Sequence, residues 1–401
     1  MEFEKDDTTF LPSFATRAVH GERQTDDHGY GAVVPPVHHS TVFRFKNFAE
    51  LRSYARGEMP GSYFYSRYAN PSVAEVERKL AQLEGAESAV VTSSGSAATF
   101  CALAALCEAG DELIACETIY GGTTRIIEQV LGRFGVRSRF ISIEDIPNLP
   151  EIAGERTRAF WFESPTNPIN RLVDLKLAAE SARAAKLFSI VDNTFATPLL
   201  QRPLEHGIDA VMHSATKYLG GHADLTAGGV AGSREYIERV RRYAVMTGAT
   251  LDPAAAYLLD RGIKTLDVRV RACCENAMRL AESLRGHEKV ARVYYPGLED
   301  DPGYALARRQ MSLFGGVVAF DLVGGEAEVE RFIDALELAQ CAPSLGGVET
   351  LVSYPLYSSH NGFTDEQLRA AGVSPATVRF SVGIEAADDI IADVKQALAR
   401  V

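Results

Sequence analysis

Two short apolar runs in this chain end in residue types suited to carbonyl chemistry. Phe188-Ser-Ile-Val-Asp192 closes on an acid, and Ala210-Val-Met-His-Ser214-Ala-Thr216-Lys217 closes on two hydroxyls and an amine. In an open parallel sheet the C-terminal ends of strands meet at one edge, where ligands bind. There a lysine can condense with an aldehyde, an acid can keep a ring nitrogen protonated, and hydroxyls can hold a phosphate. Together these are the needs of pyridoxal phosphate. Each residue also has a plainer use. A lone lysine is usually a solvated charge, and an Asp after a strand is usually a cap or turn residue. It is the combination of Lys217, Asp192, Ser214 and Thr216 that points to chemistry.

Other segments supply matching parts. Ser94-Gly95-Ser96 lies between a predicted strand and helix. A glycine there lets backbone N–H groups approach an anion, and the helix dipole favours negative charge. The segment lacks the glycine spacing of a dinucleotide fold or a P-loop, and suits one phosphate monoester. Tyr120, just after a strand, is either core filling or a ring placed to stack on a heterocycle. Tyr65 and Arg67 lie in a surface loop or reach toward a phosphate. Arg379 sits inside the apolar run Thr377–Gly383. A buried arginine needs an anion, either a structural carboxylate or a substrate carboxylate held in a two-pronged grip.

The elements that must position these groups follow from spacing. Asn70-Pro71 reads as a cap and first helical position, with Val73, Val76, Leu80 and Leu83 on one face and Gly85 ending the helix. Strands are expected at 88–92, 112–116, 137–143, 158–163, 187–191 and 208–213. Helices alternate with them, near 96–107, after Gly121-Gly122 and at 174–186, capped by Asp174. This alternation indicates an α/β fold with a mostly parallel sheet covered on both faces. A long helical region from about 253 to 284 reads as a bridge. Strands near 289–294, 315–322 and 377–384, with helices near 326–337 and at the C-terminus, form a smaller α/β unit. The expected division is an N-terminal arm at 1–62, a large domain at 63–255 and a C-terminal domain with the bridging helix at 256–401. The arm reads as irregular, of the kind that packs on a neighbouring subunit.

Composition narrows the class. The 401 residues are 46% hydrophobic and 23% charged, with a net charge of −12. That is an ordinary globular balance and argues against a nucleic-acid or anionic-membrane surface. No apolar run reaches membrane-spanning length, and Met1–Asp7 is acidic and polar, unlike a secretory signal. The six cysteines show no metal-ligand spacing and read as reduced thiols in a cytoplasmic protein. Adjacent Cys273 and Cys274 point apart on a helix, which disfavours a redox pair.

Taken together, the motifs resemble the Cys/Met-metabolism, or trans-sulfuration, enzymes of the fold-type I pyridoxal phosphate class. The matching segments are Tyr65-Ser-Arg-Tyr-Ala-Asn-Pro71, Ser94-Gly95, Tyr120-Gly-Gly122, Glu163-Ser-Pro-Thr-Asn-Pro168, Val191-Asp-Asn-Thr194, His213-Ser-Ala-Thr-Lys217-Tyr-Leu-Gly-Gly-His222, Ser344-Leu-Gly-Gly347 and Arg379-Phe-Ser-Val-Gly383. The resemblance implies that Lys217 carries the cofactor and shuttles protons, Asp192 pairs with the ring nitrogen, and Tyr120 stacks on the ring and assists proton transfer. It implies that Gly95, Ser96, Ser214 and Thr216 hold the phosphate. Tyr65 and Arg67 would reach the phosphate of the neighbouring subunit, so the active unit is expected to be a dimer or a homotetramer. Asn167, Ser344 and Arg379 would position the cofactor or the substrate carboxylate. No metal is implied.

The expected activity is a carbon–sulfur γ-lyase on cystathionine or a related sulfur amino acid. The alternative is γ-replacement, as in cystathionine γ-synthase or an O-acylhomoserine sulfhydrylase. Methionine γ-lyases carry a cysteine where this chain has Gly122, and many cystathionine-specific γ-enzymes carry a glutamate where it has Pro343. A histidine common in the bridging helix is replaced by Cys273. β-Elimination ranks third, because the bulky aromatic expected at Pro343 for that reaction is missing. Two other classes fit the chain less well. A nicotinamide dehydrogenase is disfavoured by the missing glycine fingerprint, and a catalytically silent scaffold by the joint presence of Lys217, Asp192 and Tyr120.

Overall fold

The computed structural model describes residues 12–21 and 32–401. Segments 1–11 and 22–31 of the expected arm, with the acidic Met1–Asp7, lie outside the described residues. Within the rest of the arm, helices form at Phe14–His20 and Phe48–Ala55. The second is capped by Asn47, whose side chain accepts from the Glu50 N–H at 3.0 Å.

Seven strands form the larger sheet: β1 Ser88–Thr92, β2 Glu112–Cys116, β3 Arg137–Ile141, β4 Thr157–Glu163, β5 Phe188–Asp192, β6 Ala210–His213 and β7 Gly228–Gly232. Their order is β1-β7-β6-β5-β4-β2-β3. β3, β2, β4, β5 and β6 run parallel, and β7 runs antiparallel to both β1 and β6. Helices cover both faces, so the strands read as continuous apolar runs. In β4, Phe160, Trp161 and Phe162 are all fully buried.

β7 is not among the expected strands, since the three glycines of Gly228-Gly229-Val-Ala-Gly232 weaken the strand pattern. Packing explains the glycines. A Cβ at Gly228 would lie 2.2 Å from the Ser94 carbonyl oxygen, and one at Gly229 would lie 2.6 Å from Leu80 Cδ2. The helix Arg234–Thr247, capped by Ser233, was also missed.

The bridging region is two helices, Pro253–Lys264 and Leu266–Leu284, interrupted at Thr265. Gly262, near the break, packs against the backbone of the loop after Lys217, where a Cβ would lie 2.2 Å from the Gly220 oxygen. Cys273 and Cys274 lie buried on the second helix as free thiols, their pKa values pushed up to about 12 by burial.

A smaller sheet follows: β8 Val290–Tyr294, β9 Val317–Leu322, β10 Gln340–Cys341, β11 Leu351–Ser353 and β12 Thr377–Ser381, in the order β10-β11-β12-β9-β8. β10 and β11 are too short to be legible in the sequence. Helices Glu326–Ala335 and Ala387–Leu398 pack on the face opposite Arg379, with Phe320, Phe332 and Phe380 at the centre. Among the described residues no helix is long and apolar enough to cross a membrane.

Candidate active site

The C-terminal ends of β4, β5 and β6 open into a cavity of about 530 Å³, within the range of small-molecule sites. The register aligns Glu163 of β4 with Asp192 of β5, and Asp192 with Met212 of β6. Lys217 follows β6 by four residues. Ser344, on the loop after β10, and Arg379, on β12, close the far side.

Asp192 accepts the Thr194 N–H at 3.0 Å and the Thr194 hydroxyl on one oxygen, Oδ1. Among the described residues Oδ2 has no donor, and the residue lines the cavity. Burial raises the Asp192 pKa, and the Thr194 hydrogen bonds and His213 oppose that rise. Glu163, alongside, is raised well above the ordinary range by burial and then by the Asp192 charge. With only the Tyr120 N–H, at 2.6 Å, to offset its burial, Glu163 is the member of the pair that takes the proton. Asp192 is left as the anion. Beneath β6, His213 pairs with buried Glu84, which also accepts from Asn193 and so ties the strand ends together.

The same Tyr120 N–H contact fixes Tyr120 at the cavity lip, where its side is 48% exposed. Its ring occupies the space above Gly122: a Cβ there would fall 2.3 Å from Tyr120 Cε1. At the other end, Ser94 caps the helix Gly95–Ala104 by accepting from the Ala97 N–H at 3.1 Å. The first N–H groups of a helix have no partner within it, so those of Gly95 and Ser96 face the cavity as an anion cradle. Only glycine fits at 95, because a Cβ would sit 2.8 Å from Ser214 Cβ. Thr216 lines the cavity, but its hydroxyl is engaged with the Ala227 backbone, donating at 3.1 Å and accepting at 3.0 Å.

Lys217 Nζ donates to Ser344 Oγ at 2.8 Å. Burial, then the nearby Arg379 charge, lowers the lysine pKa to about 8. Arg379 donates to Asn167 Oδ1 at 2.9 Å and to the Ser344 carbonyl at 2.8 Å. Its Nε is buried without a partner, and burial pushes its pKa down to about 10. Among the described residues it has no carboxylate partner, so of the two readings of a buried arginine the structural ion pair is not the one seen. Ser344 itself holds φ of 119°, a strained backbone of the kind found at binding sites.

Twelve residues were singled out in the sequence. Ten line this one cavity: Gly95, Ser96, Tyr120, Asn167, Asp192, Ser214, Thr216, Lys217, Ser344 and Arg379. Tyr65 and Arg67 do not. Arg67 instead donates to the Val245 carbonyl at 3.0 Å and stacks on Tyr68. Sequence reasoning missed Glu163 and Thr194, although both stand in motifs at strand ends, where the signal lay. It also missed Arg269, which has no local signal. From the bridging helix this buried arginine grips the Tyr218 carbonyl at 3.0 Å and the Gly262 carbonyl at 2.7 Å, fixing the lysine loop.

The residues present fit pyridoxal phosphate. Asp192 Oδ2 is free for a protonated ring nitrogen, the helix cradle suits a phosphate, and a lysine amine of lowered basicity stands between them. The site and the doubly wound sheet thus define a pyridoxal-phosphate-dependent enzyme of fold type I. Comparison with known proteins makes the assignment specific. The model of the Cys/Met metabolism PLP-dependent enzyme family matches residues 15–399, and the chain belongs to that family. It is 44% identical over 390 residues to an L-methionine γ-lyase of Pseudomonas putida, covering 97% of this chain and 98% of the relative. A solved cystathionine γ-synthase of Xanthomonas oryzae pv. oryzae, in complex with aminoacrylate and cysteine, superposes with a TM-score of 0.91 at 37% identity, covering 98% of this chain and 99% of the other. A cystathionine γ-lyase of Lactobacillus plantarum, complexed with L-serine, gives 0.90 at 34% identity, covering 97% and 99%.

Proposed function

We propose that the protein is a carbon–sulfur γ-lyase acting on cystathionine-like amino acids. It would release 2-oxobutanoate, ammonia and a thiol, with water consumed. The observation that carries the reading is the meeting of Lys217, Asp192 and Arg379 around one cavity. When bound, pyridoxal phosphate supplies an electron sink for proton loss at the substrate α-carbon.

The protein's residues do the rest. Asp192 holds the ring nitrogen protonated through its free Oδ2. Gly95, Ser96 and Ser214 orient the phosphate, and Thr216 braces that wall. Arg379, with its unpartnered Nε, Asn167 and Ser344 orient the substrate carboxylate. The Lys217 amine, at a pKa of about 8, takes and returns protons on the face that Ser344 points it to. Tyr120, at the lip, moves a proton near the departing sulfur. Tyr357, Ser358 and Ser359 line the substrate side, their hydroxyls engaged with Glu326, the Tyr354 carbonyl and His360.

γ-Replacement is the second reading, favoured by the likeness to the cystathionine γ-synthase structure. Methionine γ-elimination is placed behind both. Although a methionine γ-lyase relative is 44% identical, the Tyr120 ring here fills the position above Gly122 where those enzymes carry a side chain. We further infer a division into arm, large domain at 63–255 and C-terminal domain at 256–401. The active unit is inferred to be a homodimer or homotetramer, in which Tyr65 and Arg67 serve a neighbouring subunit's site. A cytoplasmic setting is supported by five buried free thiols.

The test is a substrate panel of cystathionine, methionine, cysteine, homocysteine and O-acylhomoserines, with and without added thiol. Cystathionine is expected to yield 2-oxobutanoate fastest. Faster formation of a new thioether from an O-acylhomoserine and thiol would replace the lyase reading with the synthase one.

A further inference from the structure

We propose that Glu84, outside the cavity, is a positioning residue for the cofactor: through His213 and Asn193 it fixes the strand ends that carry Asp192 and the Ser214–Lys217 segment. The proposal rests on pyridoxal phosphate binding at this site, and it is independent of whether the enzyme eliminates or replaces.

Glu84 is the last residue of the helix Pro71–Glu84, and Gly85 closes that helix in the left-handed conformation. Its side chain is fully buried. One oxygen, Oε1, receives two donors. His213 Nε2 reaches it from the end of β6, and Asn193 Nδ2 donates to it at 3.3 Å from just past β5. These partners lie 129 and 109 residues away in sequence. Each stands next to a cavity residue: Asn193 follows Asp192, and His213 precedes Ser214.

The same two strand ends are joined again by Thr194, which lines the cavity. Its hydroxyl accepts the Ser214 N–H at 2.8 Å and donates to Asp192 Oδ1. Behind, Gln201 extends the network to a third strand. Its Nε2 donates to Asn193 Oδ1 at 2.9 Å and to the Ser164 carbonyl, just past β4, at 3.0 Å. Asp192 and the start of the lysine segment are therefore clamped both at the cavity and from behind.

Anchoring a helix to a sheet does not by itself call for a charge. A glutamine at 84 would offer both donors the same oxygen. The carboxylate is the unfavourable choice here. It is buried at the negative end of a helix dipole, and its second oxygen, Oε2, has no partner among the described residues. What a full charge adds is strength of grip, since hydrogen bonds to an ionised acceptor are shorter and about twice as strong as neutral ones. That grip acts where tolerance is least: groups that hold a cofactor must stay within about 0.5 Å of their productive place.

The test measures the dissociation constant of pyridoxal phosphate by equilibrium titration of the cofactor-free protein. Glu84→Gln keeps the shape and removes the charge, and about tenfold weaker binding is expected. Glu77→Gln is the comparison. Glu77 is buried on the same helix, pairs with Arg241 and accepts the Val91 N–H, and does not line the cavity. Its loss should lower the melting temperature and leave the dissociation constant within about twofold of wild type. A merely structural Glu84 would behave as Glu77 does. An unchanged dissociation constant in Glu84→Gln, or an equal loss in the two variants, overturns the proposal.

Should Glu84→Gln fail to fold, the brace is tested from its other end. His213→Gln can still donate an N–H to Glu84, whereas His213→Leu cannot. Binding by the first is expected within about threefold of wild type, and by the second about tenfold weaker. Equal dissociation constants for these two overturn the proposal. Wild-type protein that does not bind pyridoxal phosphate would sink the cofactor reading and the proposal with it. Wild-type binding with unchanged variants would sink the proposal alone.

Discussion

The cavity wall built by the large sheet and the wall built by the small sheet differ in how their polar groups are partnered. On the first, nearly every group is pinned from behind: Asp192 by Thr194, Glu163 by the Tyr120 N–H, Thr216 by Ala227, and His213 by Glu84. What remains open among the described residues is one carboxylate oxygen, a pair of helix N–H groups and the Ser96 and Ser214 hydroxyls. On the second wall, Arg379 Nε is buried without a partner, and the Ser344 hydroxyl is met only by the Lys217 amine among the described residues. The difference teaches where conserved chemistry and selectivity can be divided. A preorganised wall serves one cofactor, and a wall with unspent donors and acceptors is completed by whichever substrate fits it.

Breaking the first wall should have the largest effect. Lys217→Ala is expected to lower 2-oxobutanoate formation by about 10³-fold or more. Circular dichroism should show the fold retained; near-normal turnover would remove Lys217 from its role. Next, Asp192→Asn keeps the shape and removes the charge. A loss of about 10²-fold in kcat is expected, with weaker cofactor binding by equilibrium titration.

The second wall is tested by Arg379→Lys, which keeps the charge and removes the fork. We expect kcat/KM to fall by roughly 30-fold, mostly through KM. A loss confined to kcat would instead assign Arg379 to the chemical step.

The smallest effect sharpens the contrast through pH. In cofactor-free protein the Lys217 pKa lies at about 8, below its ordinary 10.5, because burial and Arg379 disfavour the ammonium. The unfolded chain therefore binds more protons between those values, and stability rises with pH across that window. Lys217→Met should then be more stable than the cofactor-free wild type near pH 7, by on the order of 1–2 kcal/mol after solvent screening. The gap should close as pH climbs from about 8 to 10.5, read by denaturant titration. A gap independent of pH would mean that the amine is not perturbed.

Much of the first wall was legible because it is local. Apolar runs ending in Asp192 and Ser214–Lys217 announce strand ends, and Ser94-Gly95-Ser96 announces a helix start. The glycine-rich β7 was not legible, since its residues are chosen for the close approach of Ser94 and Leu80 rather than for strand propensity. Arg269 gave no signal either, because the carbonyl through which it fixes the lysine loop, that of Tyr218, lies 51 residues away in sequence.

By itself the sequence determined the fold class, the cofactor class and ten residues that line one cavity, because each motif carries its own backbone geometry. Only the tertiary structure decided that Arg379 lacks a carboxylate partner among the described residues, and that Tyr120 leans over Gly122. Those facts depend on which surfaces the two sheets bring together, and no local pattern of residues encodes a contact between distant strands.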